Sequence, residues 1–318
     1  MSGETSAPLV LWLDEEAATR RDLAGGKGAS LAELVRLAFD VPEGFVVTTS
    51  AFRAFFDGVL RREVTAMLAS MGADEAEMAR TAAAIAERFR QAPLPSNVVE
   101  ALGAAHERLC RGQTLPLAVR SSATAEDMAE ASFAGQQETF LGVVGVEAFL
   151  DRVRACWASL FTPRAIFYRQ RRGIGHDVAM AVVCQRLLRA EKSGVLFTVD
   201  PVQGRRHVAI VEAVRGRGEG LVLGAVTPDH YQVEKTTGKV LFQRLARRRP
   251  SPAHAASAWA SSPLAGDDLG PVLSLEELQR LVTVGCRLEV HFGRPQDVEW
   301  AVEGGRLYLL QSRPVTTM

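Results

Sequence analysis

The chain has 318 residues, of which 47% are hydrophobic and 23% charged, a composition typical of a globular protein long enough for about two domains. Its 37 basic and 37 acidic residues cancel, which gives no electrostatic basis for binding nucleic acid or an anionic membrane. The four cysteines lack metal-ligand spacing, the start is not basic, and no apolar run approaches the roughly 18 residues of a membrane span. These features predict a cytoplasmic protein with reduced, buried thiols.

The first half of the chain alternates short apolar runs with helical periodicity. A glycine-rich turn at residues 25–28 opens a helix with apolar residues at helical spacing, and Ser50 is expected to cap the helix after it. Further strands are predicted over residues 10–13, 45–48 and 117–120, and further helices over residues 74–90, 96–110, 146–161 and 163–171.

The second half is richer in β-branched runs, with strands expected over residues 178–188, 194–199, 208–214 and 231–233. Ser274 and Glu277 have the spacing of a helix capping box, and residues 247–272 have the composition of a long mobile loop. Residues 216–220 lack GxGxxG spacing, which argues against a Rossmann fold. The pattern predicts α+β or mixed α/β layers, divided into domains at residues 1–183 and 184–318.

The chain closes with a predicted hairpin, in which Asp297 and Glu299 share one face of the outgoing strand. A simple two-residue turn would place Gln311 on the apolar face of the return strand. We therefore predict a three-residue loop or a bulge, which brings Asp297, Glu299, Gln311 and Arg313 onto one face. Oxygen ligands of this kind suit Mg²⁺ bound together with phosphates, and Arg313 suits a phosphate. A solvated polar face is the structural alternative.

Two basic residues are candidates for holding a phosphate. Lys27 lies in a Gly-Gly-Lys-Gly turn before a helix, where backbone N–H groups favour an anion, although the turn is not a Walker A loop and equally suits a plain turn. Arg120 follows an apolar strand, from which it can reach a phosphate or pair with Glu126 or Asp127. A loop of small residues at 132–136 has the character of a lid.

Seven segments of the chain resemble the nucleotide-binding part of phosphoenolpyruvate synthases, pyruvate phosphate dikinases and rifampin phosphotransferases, and they follow one another in the order of that family. The resemblance runs from about residue 22 to residue 315. The segments are residues 25–31 (GGKGASL), 41–45 (VPEGF), 119–127 (VRSSATAED), 132–140 (SFAGQQETF), 194–198 (GVLFT), 297–300 (DVEW) and 310–314 (LQSRP).

This resemblance implies an ATP-grasp fold whose two subdomains close on ATP. By the same resemblance, the expected site divides into four groups of residues with distinct roles. Lys27, Arg120 and Arg313 hold phosphates; Gly135 and Gln136 cover them; Gln185, Arg186 and Leu187 form the adenine hinge with Glu191 at the ribose; Glu299 and Gln311 bind Mg²⁺ beside Asp297.

The resemblance also implies a reaction, in which the β-phosphate of ATP passes through a pyrophosphorylated histidine to an acceptor, and AMP and phosphate are released. No catalytic-histidine motif is visible, so we expect a dikinase-type module that needs a His-bearing swivelling domain or partner protein. Arg215 and Arg217 stand where the family has an aromatic residue and Leu. Two alternatives stay open: a self-contained kinase or ligase for a small molecule, and a non-catalytic nucleotide-binding module.

Overall fold

The computed structural model describes residues 7–72, 74–124, 138–172, 178–218, 224, 226–246 and 270–316. The chain forms two compact units. The first unit comprises residues 1–37 and 43–187, and the second comprises residues 38–42 and 188–318. The predicted domain boundary after residue 183 falls inside a strand, Met180–Arg186, that belongs to the first unit.

The first unit is built around a five-stranded antiparallel sheet in the order β1-β2-β5-β3-β4. Its strands are β1 (Val10–Trp12), β2 (Gly44–Val47), β3 (Leu117–Ala123), β4 (Thr139–Val143) and β5 (Met180–Arg186). Its helices are α1 (Arg21–Arg36), α2 (Thr49–Phe56), α3 (Val59–Ala69), α4 (Glu75–Gln91), α5 (Ser96–Cys110), α6 (Val146–Ala158) and α7 (Pro163–Arg172).

Aromatic side chains fill the core of this unit on one side of the sheet. Phe52, Phe56 and Phe89 pack with Trp157 and Phe161 at ring-centroid distances of 5.1 to 5.9 Å. Such tilted and stacked pairs add stability beyond the area they bury. The core thereby holds α2, α4 and α6 together and leaves the opposite face of the sheet to α1.

The second unit is a six-stranded antiparallel sheet in the order β11-β10-β6-β7-β8-β9, with one long helix packed on it. Gly285 of that helix allows the close approach, because a Cβ there would lie 2.5 Å from Leu196 Cδ2. The elements are β6 (Lys192–Phe197), β7 (Val208–Arg215), β8 (Asp229–Glu234), β9 (Val240–Arg244), α8 (Leu275–Phe292), β10 (Gln296–Glu303) and β11 (Arg306–Pro314).

The structure tests the predictions made for the helix caps, the cysteines and the Rossmann alternative. The capping box of Ser274 and Glu277 is present at the start of α8. Ser50 is not a cap: the helix begins at Thr49 after Thr48, whose hydroxyl donates to the Pro8 carbonyl. All four cysteines are unpaired, and three of them are buried. The antiparallel strand pairing agrees with the rejection of a Rossmann fold.

Segment 247–269, which includes most of the predicted loop, lies outside the described residues. Asp229 links the backbone on either side of it: one carboxylate oxygen accepts from Ala246 N–H at 2.8 Å and the other from Val272 N–H at 2.7 Å. Tyr231 also donates to this carboxylate, and burial raises the pKa of Tyr231 to about 12. None of the helices in the described part of the chain is both long and apolar enough to span a bilayer.

Asp200 organises the turn between β6 and β7. One carboxylate oxygen accepts from the N–H groups of Val202 and Gln203 at 3.0 Å, and the other accepts from Arg205 Nη2 at 2.7 Å. Burial raises the pKa of Asp200, but the hydrogen bonds from Gln203, Arg205 and Val202 outweigh it and hold the pKa below its ordinary value. The ionised carboxylate is therefore the form that stabilises the fold.

We expect Asp200→Asn to lower the free energy of unfolding by about 2 kcal/mol at pH 7, because charge-assisted hydrogen bonds are lost. Since the folded pKa is depressed, the difference from wild type should be complete above the unfolded pKa of about 3.9 and should vanish as the pH falls through the folded pKa. Denaturant titrations across this range measure it, with exposed Asp14→Asn as the control. A pH-independent difference would contradict the role of the charge.

Candidate functional site

The Gly-Gly-Lys-Gly turn forms a kink inside α1. Gly25 has φ +69°, so the helix breaks there and resumes through Gly26, Lys27 and Gly28. A Cβ on Gly25 would lie 2.2 Å from the Ser122 carbonyl oxygen, which only glycine avoids. The Ser122 hydroxyl accepts from Gly28 N–H at 3.0 Å and donates to the Ala24 carbonyl at 2.8 Å. Strand β3 thus fixes both sides of the kink.

Lys27 is buried, with 3% of its surface exposed. Its Nζ donates to the Ser121 carbonyl oxygen at 2.8 Å, which brings the ammonium group beside the backbone next to Arg120. A buried cation is costly unless neighbouring oxygen atoms compensate it. The turn therefore concentrates positive charge at the start of the resumed helix, where the helix dipole also favours an anion.

Arg120 and Gln185 lie on the same face of the first sheet as the glycine turn. In the β3–β5 register Arg120 is opposite Val183, and Ala118 is opposite Gln185. Opposed and alternate residues share a face, so Arg120, Gln185 and Ser122 all point to the side on which α1 packs. The structure thus places three of the predicted site residues, Lys27, Arg120 and Gln185, on one side of this sheet.

The two other predicted hinge residues follow Gln185 at the end of β5. Arg186 N–H donates to the Glu43 carbonyl at 2.9 Å, and Leu187 N–H donates to the Pro116 carbonyl at 3.0 Å. These two hydrogen bonds fix the backbone that follows β5. Gly135 and Gln136, the predicted covering residues, lie outside the described residues, as do Glu126 and Asp127.

The closing hairpin has the predicted shared polar face. Its turn has two residues, Gly304 and Gly305, between paired Glu303 and Arg306. A bulge then shifts the register after Trp300, which pairs with Leu309, so that Glu299 pairs with Gln311. The register that a simple two-residue turn would impose is therefore corrected within the strand, as predicted for a bulge.

The pairs Asp297–Arg313 and Glu299–Gln311 are neighbours on this face, and Val298, Trp300 and Val302 are buried on the other. Arg313 Nε donates to Asp297 Oδ2 at 2.9 Å. Burial raises the pKa of Asp297, and although Arg313 lowers it, the net pKa lies above its ordinary value. Glu299 is half-buried and Gln311 buried.

The donor set at Glu299 and Gln311 fits Mg²⁺. Directly opposed side chains in an antiparallel pair have Cβ atoms roughly 5 Å apart, so a carboxylate and an amide oxygen can reach one ion. Mg²⁺ is commonly held by one or two carboxylates together with phosphate oxygens. Among the described residues no three His, Cys, Asp or Glu side chains form a metal-binding group.

Glu191 occupies the turn end of the hairpin, away from this pair. Its Oε1 accepts from Gly304 N–H at 2.9 Å, its N–H donates to the Val302 carbonyl, and its carbonyl accepts from Gly216 N–H. The exposed carboxylate thus supports the turn. Its predicted contact with a ribose stays a prediction.

Ser122 is the residue near the site whose contribution the sequence did not predict. The strand was predicted over residues 117–120, but β3 continues to Ala123, and Ser121 and Ser122 are both buried. The sequence signal that could have found Ser122 is the pair of serines directly after an apolar run, because a hydroxyl group buried there needs a hydrogen-bond partner. Ser122 finds its partners at the kink of α1.

The fold is therefore α+β, with two antiparallel sheets. Of the predicted site residues, Lys27 lies in the glycine-rich turn of the first unit, and Asp297, Glu299, Gln311 and Arg313 share one face of the hairpin in the second unit. The family model described as "Pyruvate phosphate dikinase, AMP/ATP-binding domain" matches residues 21–318. The chain belongs to this family.

Curated relatives match nearly the whole chain. A probable phosphoenolpyruvate synthase of Archaeoglobus fulgidus is 42% identical over 97% of this chain and 42% of its own length. A rifampicin phosphotransferase of Streptomyces sp is 42% identical over 98% of this chain and 36% of its own length. A probable phosphoenolpyruvate synthase of Methanocaldococcus jannaschii is 40% identical over 98% of this chain and 27% of its own length. The chain thus spans less than half the length of these relatives.

Proposed function

We propose that this chain is an ATP-grasp phosphotransferase module that binds Mg·ATP and transfers phosphate to a histidine on a swivelling domain or a partner protein. AMP and phosphate are the eventual products. The observation that carries the proposal is the bulged hairpin, which sets Glu299 opposite Gln311 beside the Asp297–Arg313 pair. Membership of the AMP/ATP-binding family and the names of the phosphotransferase relatives support it.

In this proposal the hairpin face holds the metal. Glu299 and Gln311 are the Mg²⁺ ligands, and the bound ion supplies charge neutralisation for the phosphate oxygens. Asp297 orients Arg313 through their ion pair, and Arg313 presents its remaining guanidinium surface to a phosphate. Such fixed charges stabilise the negative charge that is redistributed during phosphoryl transfer.

The first unit supplies the remaining cations and the base contacts. Lys27 and Arg120 hold phosphates, with Lys27 positioned by the Ser121 carbonyl, and the segment containing Gly135 and Gln136 covers them. Gln185, Arg186 and Leu187 form the adenine hinge. Glu191 is assigned to the ribose. The assignment of Gly135 and Gln136 rests on the family resemblance alone, and the other assignments rest on that resemblance together with the positions described above.

Lys27→Met tests the phosphate assignment with an unbranched, uncharged side chain that is one atom shorter. Loss of a charge-assisted contact should weaken ATP binding about 10- to 100-fold, measured by calorimetry in the presence of Mg²⁺. The exposed Lys239→Met serves as the matched control and should bind ATP normally. If Lys27→Met instead lowers the free energy of unfolding by several kcal/mol with normal ATP affinity, Lys27 is structural.

Labelling distinguishes the transfer reaction from its two alternatives. The chain, [β-³²P]ATP and a candidate His-bearing protein should give acid-labile label on that protein and release AMP. Mutation of the acceptor histidine should remove the label. Label on a small molecule without any protein acceptor would indicate a self-contained kinase or ligase. Tight ATP binding with no AMP or ADP in the presence of acceptors would indicate a non-catalytic module.

A further inference from the structure

A polar cavity lies in the second unit, at the turn end of the hairpin. Its volume is about 310 Å³. One wall is α8, which presents Arg280 and Arg287 two turns apart on the same helix face. The hairpin turn contributes Arg306, and the segment 38–42 supplies Phe39 and Asp40.

Two of the three guanidinium groups are held in place by aromatic rings. The Arg287 guanidinium carbon lies 4.6 Å from the ring centre of Phe39, and that of Arg306 lies 5.6 Å from the ring centre of Tyr308. Stacking of this kind restricts a long side chain and leaves the edge of the guanidinium open for hydrogen bonds. The donors facing the cavity are thus partly ordered before any ligand arrives.

Asp40 is the acidic side chain among the cavity residues. It pairs with Arg306, and its carbonyl accepts from Leu309 N–H at 2.8 Å, which fixes the segment 38–42 along the edge of β11. The hydrogen bond from Arg306, with the nearby charges of Arg306 and Arg280, outweighs burial and lowers the pKa of Asp40. Three guanidinium groups and one ionised carboxylate leave two positive charges.

We propose that this cavity, lined by Arg280, Arg287 and Arg306, binds the phosphate group of a small phosphomonoester. A phosphomonoester carries about two negative charges at neutral pH, which matches the charge of the cavity. Guanidinium groups bind phosphate oxygens through paired N–H donors. The volume exceeds what a phosphate alone fills, so the ligand carries an organic part of about the size of a sugar.

The cavity is separate from the proposed metal face. Arg306 adjoins the turn, whereas Gln311 lies five residues further along β11, about 16 Å away at the usual rise of a strand. The proposal therefore does not depend on the proposed function, and it can fail or succeed independently.

Calorimetry with glucose 6-phosphate and the full chain at low ionic strength tests the proposal. We expect saturable binding with a Kd of about 1 mM or tighter, no binding of glucose, and weakening by added salt. Arg280→Met and Arg287→Met, both at exposed positions, should each raise the Kd at least about tenfold. Arg206→Met, at an exposed position of the same unit outside the cavity, should bind as wild type does.

Lys27→Met tests whether glucose 6-phosphate binds at the Lys27 turn of the first unit instead of in the cavity. If it leaves glucose 6-phosphate binding intact while Arg280→Met weakens it, the ligand occupies the cavity. Absence of binding to wild type would overturn the proposal, and so would binding that survives both arginine substitutions or is lost only in Lys27→Met. Thermal unfolding of each variant confirms that it is folded.

Discussion

Replacing Glu299 by Gln is expected to lower Mg²⁺-dependent turnover of ATP by about 100-fold or more, the effect typical of removing a group that stabilises transferring charge. The substitution keeps the size of the side chain but removes the negative charge that the proposal assigns to binding the ion. Glu299 is half-buried on the polar face, and the core residues of β10 point the other way, so the variant should fold. Steady-state turnover and ATP calorimetry with and without Mg²⁺ measure the effect.

Glu303→Gln is the matched control, because Glu303 lies on the same strand and the same face as Glu299. Its Oε1 accepts from Arg189 N–H, a bond that a glutamine oxygen preserves. We expect normal turnover from this variant. Equal losses in both variants, or normal turnover in Glu299→Gln, would contradict the assignment of the metal ligand.

Gly25→Ala is expected to lower the free energy of unfolding by about 3 kcal/mol or more. The new Cβ would lie 2.2 Å from a backbone oxygen and 2.4 Å from the Ser122 hydroxyl oxygen, at a φ of +69° that alanine rarely adopts. Relief would require α1 to move away from β3 and break the two hydrogen bonds of Ser122. Denaturant titration measures the stability, and ATP binding should weaken in parallel because Lys27 moves too.

Gly103→Ala provides the opposite result within the same unit. Gly103 lies in α5, and a Cβ there would meet nothing within 4 Å. Replacing a helix-interior glycine with alanine should stabilise the chain by about 0.5 to 1 kcal/mol. If Gly25→Ala were tolerated as well as Gly103→Ala, that result would contradict the close contact between the kink of α1 and β3.

The hairpin illustrates what the sequence can and cannot predict. Alternation of Asp297, Glu299 and the intervening apolar residues predicted which side chains share a face, because that depends only on the pleat of a strand. The same alternation predicted that the pairing of the two strands must shift by one residue, because a simple two-residue turn would place Gln311 on the apolar face. It did not distinguish a longer loop from the bulge found at Leu310, because either one brings Gln311 onto the face of Glu299.

The glycine turn shows a different limit. Its position was predicted from four residues, but its closure by Ser122 joins residues 94 positions apart in the chain, which no local pattern encodes. Helix α3 and strand β9 were not predicted. Strand β9 is mostly exposed at the sheet edge and lacks the apolar alternation of a half-buried strand. Local periodicity thus predicted most core elements, whereas long-range partners needed the structure.

A crystal of the chain grown with Mn²⁺ and a non-hydrolysable ATP analogue tests the central claim most directly. Mn²⁺ prefers the same oxygen ligands as Mg²⁺ and gives an anomalous signal that locates it. We predict an anomalous peak in contact with the side-chain oxygens of Glu299 and Gln311 and with phosphate oxygens of the analogue. Bound nucleotide with its Mn²⁺ peak away from both side chains would contradict the proposed metal site.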